Sequence, residues 1–191
     1  MKPSLPELAQ VRESARQLYD MAEIDSAIHR VAQAITERYH DRNPLLLTVM
    51  NGGVVFAGRL LTELSFPLEI DYLHATRYAG ETTGNTEIQW IVTPGTRLAG
   101  RDVIVLDDIL DVGATLLAIV EACRAQGAAS VATAVLVDKI HPRKAQPGLK
   151  ADFTGVEAED AYLFGCGMDY KGFWRNAPGI FAVQQQGGIP S

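Results

Sequence analysis

Asp107, Asp108 and Asp111 are the residues whose type and spacing first point to chemistry. Two adjacent carboxylates can accept hydrogen bonds from vicinal hydroxyls or approach a metal ion. The third stands one short step away, before the small-residue bend Val112-Gly113-Ala114-Thr115. Such a bend lets backbone N–H groups converge at a helix N-terminus, where the helix dipole favours an anion, so it can cradle a phosphate. A phosphate cradle beside a diol or metal site suits a ribose 5-phosphate. An ordinary strand-turn-helix unit with solvated acids has a similar pattern, and strand-turn-helix units are common in α/β domains.

The elements that must position these acids are legible on either side. Val103-Ile104-Val105-Leu106 is a run of apolar, mostly β-branched residues, read as a strand buried on both faces that ends at the acids. Leu116, Ile119, Val120 and Cys123 recur at helical spacing, and Gly127 is placed to stop that helix.

This stretch resembles the phosphoribosyl-pyrophosphate signature of the type I phosphoribosyltransferases: an apolar strand, two acids, two apolar residues, Asp, then a small-residue loop closing on Thr. The rest of the chain follows the order of that family. Leu45 to Met50 reads as a buried strand, Asn51-Gly52-Gly53 as a glycine turn, and Val54 to Leu64 as a helix. In the purine members this turn binds pyrophosphate through main-chain N–H groups, often with a cis peptide before a basic residue. Here Asn51 takes the basic place, so the resemblance implies main-chain contacts from Asn51 and Gly52. Leu68 to Ala75 and Glu87 to Val92 read as strands. They flank a polar, glycine-containing stretch, which resembles the family's mobile lid over about residues 76–90. Arg77-Tyr78 stands where the family has Ser-Tyr, and Arg77 is a cation for the pyrophosphate in this reading. Trp90 is read as a packing residue.

Ser130 to Val137 is a further apolar strand that runs into Asp138-Lys139. Lys139 matches the lysine that 6-oxopurine members aim at the exocyclic oxygen. Over residues 151–191 the chain resembles the family's purine-binding hood. Tyr162 and Leu163 lead, Gly165 follows, then Asp169-Tyr170, with Arg175 six residues after the Asp. Gly165 and Gly167 do not form a dinucleotide fingerprint: no strand-to-helix context surrounds them and no third glycine completes the pattern.

The resemblance is to hypoxanthine-guanine phosphoribosyltransferases. It implies a single α/β domain over 1–191, with a parallel sheet flanked by helices and a small C-terminal hood. It also implies residue roles. The backbone from Asp111 through Val112, Gly113 and Ala114 to Thr115, with the Thr115 hydroxyl, holds the 5-phosphate. Asp107 and Asp108 take the ribose hydroxyls, directly or through Mg²⁺. Asp107 stands where the family usually has the longer Glu. Asp111 is the general acid/base, Lys139 donates to the 6-oxo group, Tyr162 stacks on the base and Leu163 bonds its edge. Asp169 binds a second Mg²⁺, and Arg175 meets the pyrophosphate. A homodimer or homotetramer is implied as well. The rival readings are a xanthine-preferring enzyme and a nucleotide-sensing, nucleic-acid-binding regulator on the same fold.

Bulk properties bear on these readings. A length of 191 residues suits one domain with a sizeable core. A net charge of −6 weighs against an electrostatic nucleic-acid binder. No apolar run reaches a membrane span and Met1-Lys2-Pro3-Ser4 has no apolar signal core, so a cytoplasmic protein is expected. Cys123 and Cys166 are read as reduced core thiols. Residues 5–40 read as helical, with Asp20 as a possible N-cap, Asn43-Pro44 as a stop, and His29 and His40 on the surface.

Overall fold

The computed structural model describes residues 2–77 and 88–184. Its main sheet has six strands in the order β4-β3-β2-β5-β6-β7. They are β2 (Leu45–Val49), β3 (Glu69–Arg77), β4 (Ile88–Val92), β5 (Asp102–Leu110), β6 (Ser130–Lys139) and β7 (Phe153–Ala158). Only β4 is antiparallel to its neighbour. Along β5, Ile104 and Leu106 join one buried cluster while Val103 and Val105 join the other. That alternation is why the run carries no polar residue: both faces of the strand are covered. Helices α2 (Met21–Tyr39) and α3 (Val54–Leu61) cover one face, and α4 (Ala114–Ala125) covers the other. Trp90 packs against the α4-side core.

β5 does not stop at its acids. It stays paired with β6 through Asp107↔Val135 and on to Leu110↔Asp138. The ladder thus carries Asp107 and Asp108 rigidly, as neighbours in an extended strand, and Asp111 is the first residue beyond it.

The N-terminal region is helical as expected, with Asp20 as the N-cap of α2, except for a short strand between the two helices. α1 (Leu5–Ser14) ends at Ala15, which is extended, and β1 (Arg16–Tyr19) follows before α2. Each helix has its own capping box, and the one at Asp20 fixes where α2 must begin. Ser4 pairs with Glu7 and Asp20 with Glu23. An N-cap residue has extended backbone, here φ −84° and ψ 177° at Asp20, so no helix can run through it. β1 pairs with β9 (Ile180–Ala182), which pairs with β8 (Leu163–Phe164). The hood is therefore a three-stranded sheet that takes one strand from the N-terminal region. Trp174 Nε1 donates to Leu8 O at 2.9 Å and ties α1 to it.

Candidate active site

The hood sits over the C-terminal edge of the main sheet, and a cavity of about 520 Å³ lies beneath it. Ligands of open parallel sheets bind at this edge. Asn51, Gly52, Asp107, Asp108, Asp111, Val112, Gly113, Thr115, Lys139, Tyr162, Leu163, Asp169 and Arg175 all line it. Ala114 is the one member of the loop that does not; it opens α4 directly behind. Arg77 ends β3, and Tyr78 lies outside the described residues, as does most of the stretch expected to form a lid.

The loop after β5 has the form expected of an anion cradle. Gly113 is left-handed (φ 84°) and serves as N-cap of α4 without any side-chain hydrogen bond to the first turn. The first-turn N–H groups are left to a ligand. A Cβ at Gly113 would be strained by the left-handed dihedral and would push aside the ends of the Leu149 and Leu110 side chains, at 2.4 Å and 2.7 Å.

The second loop is equally tight. The Met50–Asn51 peptide is cis. The N–H groups of Met50 and Gly53 are bonded to Leu73 O (2.8 Å) and Val49 O (2.9 Å). Among the described residues, those of Asn51 and Gly52 meet no backbone acceptor. Gly52 presses on Asp108: a Cβ there would sit 2.1 Å from Asp108 Oδ2. Gly167 of the hood rests on the other side, where its own Cβ would lie 2.2 Å from Gly52 O. Hood, glycine loop and β5 carboxylate thus form a stack held at backbone contact.

The carboxylates fall into two electrostatic classes. Burial and the adjacent Asp108 charge hold the Asp107 carboxyl well above its ordinary value. Burial also raises Asp108, against partial compensation from its hydrogen bond with Asp107 and from Arg175, whose nearest nitrogen is 3.9 Å away. Two adjacent buried carboxylates repel, and a cation would relieve them. Asp111 behaves in the opposite way. Burial pushes it up, but hydrogen bonds from Lys139 and His141 outweigh this and its value is lowered. Lys139 Nζ, with 10% of its side chain exposed, donates to Asp111 Oδ2 at 3.1 Å and lies 3.4 Å from Asp160. Arg175 bonds Asp169 at 2.5 Å and donates to Gly167 O at 2.6 Å. Tyr162 keeps 52% of its surface exposed and stands edge-on to Tyr170.

The donor set bears on a metal. Among the described residues, no three acidic, histidine or cysteine side chains gather into a ready-made cage. Mg²⁺ does not need one, because it takes one or two carboxylates and completes its octahedron with water and substrate phosphates. Asp107 and Asp108 fit that pattern as an incompletely compensated pair of hard oxygen donors.

Three residues at the site were not anticipated from the sequence. His141 donates to Asp111 Oδ1 at 2.6 Å. Asp160 bonds Arg143 at 2.6 Å and faces Lys139. Lys144 bonds the buried Asp138 at 2.6 Å and Leu110 O at 2.7 Å. For His141 and Lys144 the available signal was their crowding just after β6, in Lys139-Ile140-His141-Pro142-Arg143-Lys144; Asp160, beyond β7, carried none.

Residues 14–171 match the model of the phosphoribosyl transferase domain. This chain belongs to that family. As a phosphoribosyl transferase domain it has relatives along most of its length. It is 35% identical over 158 residues to the hypoxanthine-guanine phosphoribosyltransferase of Bacillus subtilis (strain 168), covering 83% of this chain and 87% of the relative. It is 34% identical to the hypoxanthine-guanine-xanthine phosphoribosyltransferase of Tritrichomonas foetus, covering 89% and 92%. Among solved structures, a hypoxanthine phosphoribosyltransferase from Staphylococcus aureus superposes with a TM-score of 0.85 at 25% identity, covering 95% of this chain and 97% of that one. The phosphoribosyl transferase fold thus accounts for both sheets. Among the described residues, no helix is long and apolar enough to cross a membrane.

Proposed function

We propose that this phosphoribosyltransferase joins hypoxanthine or guanine to 5-phosphoribosyl 1-pyrophosphate, giving IMP or GMP and pyrophosphate, as a purine-salvage enzyme of the cytoplasm. The observation that carries the reading is the Lys139–Asp111 pair at 3.1 Å, which lines the same cavity as the phosphate loop before α4 and the half-exposed Tyr162. A cation next to an ionised carboxylate matches a 6-oxopurine: the oxygen accepts from Lys139 while the N7 proton faces Asp111.

The chain's residues divide the work. The backbone from Asp111 to Thr115, with the Thr115 hydroxyl, holds the 5-phosphate. Asp107 and Asp108 orient the ribose hydroxyls, and the Asn51 and Gly52 N–H groups with Arg175 hold the pyrophosphate. Tyr162 and Leu163 seat the base. Asp107, Asp108 and Asp169 are the residues that would hold Mg²⁺, which when bound neutralises charge on the departing pyrophosphate. Charge builds on the ribose as the bond to pyrophosphate breaks, so positioning and electrostatic stabilisation supply the catalysis. Asp111 accepts the N7 proton. The lowered value of Asp111 keeps it ionised and able to accept.

Xanthine is a second reading for the base, favoured by the name of the Tritrichomonas relative. Self-association as a homodimer or homotetramer belongs to the same proposal. Exposed Ile70 and Tyr72 on β3 and Ile91 on β4 offer apolar surface for it, and light scattering would measure it. The decisive experiment is a steady-state assay of nucleoside monophosphate formation with hypoxanthine, guanine, xanthine and adenine. Turnover with 6-oxopurines, abolished by chelator, is expected. Turnover with adenine alone, or with no base, would refute the proposal.

A further inference from the structure

We propose that His141 is a positioning residue for Asp111: it holds one carboxylate oxygen fixed while Lys139 leaves the other to meet the purine. This rests on the phosphoribosyl-transfer reading of the site.

The geometry is specific about protons. His141 Nδ1 accepts from the Arg143 N–H at 3.0 Å. The ring proton therefore sits on Nε2, which donates to Asp111 Oδ1 at 2.6 Å. Only 1% of the His141 side chain is exposed, against 41% for Asp111. The imidazole is engaged at both nitrogens and buried, so it cannot follow a substrate.

Lys139 is different. It holds Asp111 Oδ2 from the end of a flexible four-carbon stem, and Asp160 offers it a second acceptor. Arrival of a 6-oxopurine gives Lys139 a new acceptor and frees Oδ2 for the N7 proton. Without His141, Asp111 would then lose both its orientation and the hydrogen bonds that keep it ionised. With His141 in place, Oδ1 stays anchored through the exchange.

The segment that carries His141 is built as a brace. Lys144 Nζ reaches Leu110 O at 2.7 Å, and Ala145 N–H donates to Val112 O at 2.8 Å. With His141 on Asp111, the segment touches three successive residues, the last of β5 and the first two of the phosphate loop. Lys144 is itself held by buried Asp138. The charged groups that bear on Asp111 are thus Lys139 from β6, His141 and Arg143 from the brace, and Asp160 beyond β7, which reaches it through Lys139 and Arg143.

Two variants separate positioning from mere packing. His141→Gln places an amide N–H where Nε2 was and keeps the donor to Asp111. His141→Asn keeps an acceptor for the Arg143 N–H but cannot reach Asp111. Each is assayed for nucleoside monophosphate formation across pH, beside thermal melts. The Gln variant is expected to retain wild-type kcat within about threefold. The Asn variant is expected to lose about 10- to 100-fold in kcat with the KM for phosphoribosyl pyrophosphate unchanged. Its acid limb should move to higher pH, because a donor that favours ionised Asp111 is gone. Equal losses in both variants, or no loss in either, would overturn the proposal. A readout free of activity is the ¹⁵N signature of His141 in the wild-type protein: protonated Nε2 is expected, and protonated Nδ1 would overturn it. Wild-type protein inactive on every base would instead overturn the reaction reading itself.

Discussion

Replacing Gly52 by alanine tests whether the glycine loop and the β5 carboxylates act as one unit. The added Cβ would sit 2.1 Å from Asp108 Oδ2, 2.5 Å from its Cγ and 2.8 Å from Oδ1. The carboxylate must therefore retreat by roughly 1 Å to restore ordinary van der Waals contact. The loop cannot lift instead, because Gly167 already rests on the Gly52 carbonyl from above. Asp108 has little room, with 11% of its side chain exposed. Overpacking of this kind costs about 1–3 kcal/mol. For a domain of this size each kcal/mol lowers Tm by about 2–4 °C. The functional cost is larger, since a displacement of about 1 Å in a positioning group can lower the rate about 100-fold. Thermal melts and steady-state kinetics with phosphoribosyl pyrophosphate as the varied substrate measure the two effects separately. The expected result is a moderate fall in Tm with a fall of about two powers of ten in kcat/KM for phosphoribosyl pyrophosphate. A Gly52→Ala protein with wild-type Tm and wild-type kcat/KM would refute the contact and the role built on it.

Three further substitutions probe the other groups. Asp111→Asn should lower kcat by roughly two to four powers of ten, and unchanged turnover would exclude it as the proton acceptor. Lys139→Ala should raise the purine KM by about 10- to 100-fold, the worth of a charge-assisted hydrogen bond, and leave phosphoribosyl pyrophosphate affinity intact; equal losses for both substrates would make it a structural lysine. Asp107→Asn should raise the Tm of the ligand-free protein at neutral pH, because the folded-state pKa of Asp107 lies above its ordinary 3.8. As pH rises past 3.8 the unfolded chain ionises first, so this acid erodes stability until its folded-state value is passed, and the gap between variant and wild type should open over that range. The amide oxygen can still accept the Asp108 N–H that Asp107 Oδ1 accepts at 2.9 Å, so a lower Tm would contradict the repulsion argument.

What the sequence disclosed and what it hid divide along the range of the interactions. The β5–loop–α4 unit is local: its buried run, small-residue bend and helical face lie within residues 102–125, and each carries its own period. β1 is four residues between two helices, too short for a period, and its partner β9 is more than 160 residues away. Nothing in Arg16-Gln17-Leu18-Tyr19 says which edge it joins. His141 escaped for the same reason. Its partner Asp111 is 30 positions upstream, and only the parallel register of β5 against β6 brings the two strand ends together. The strand ends themselves were legible as a binding edge; the pairing of side chains across them was not.

The opposite shifts of the acids on one strand end argue for a division of labour that no single residue shows. Asp107 and Asp108 are held among neighbours that do not pay off their charge, so each is ready for a cation or for hydroxyl donors. Asp111, three positions on, already has two donors and is held ionised. When titratable groups in one site are driven apart by their surroundings, the surroundings assign the roles. In the proposed reaction, a carboxylate pair that gains by meeting positive charge belongs beside the pyrophosphate and the Mg²⁺ it would carry. An ionised carboxylate whose strongest donor has somewhere else to go belongs beside the base. Under the proposed reaction the sugar lies over β5, the phosphate at the start of α4 and the purine against Lys139 and Tyr162, all of which line one cavity.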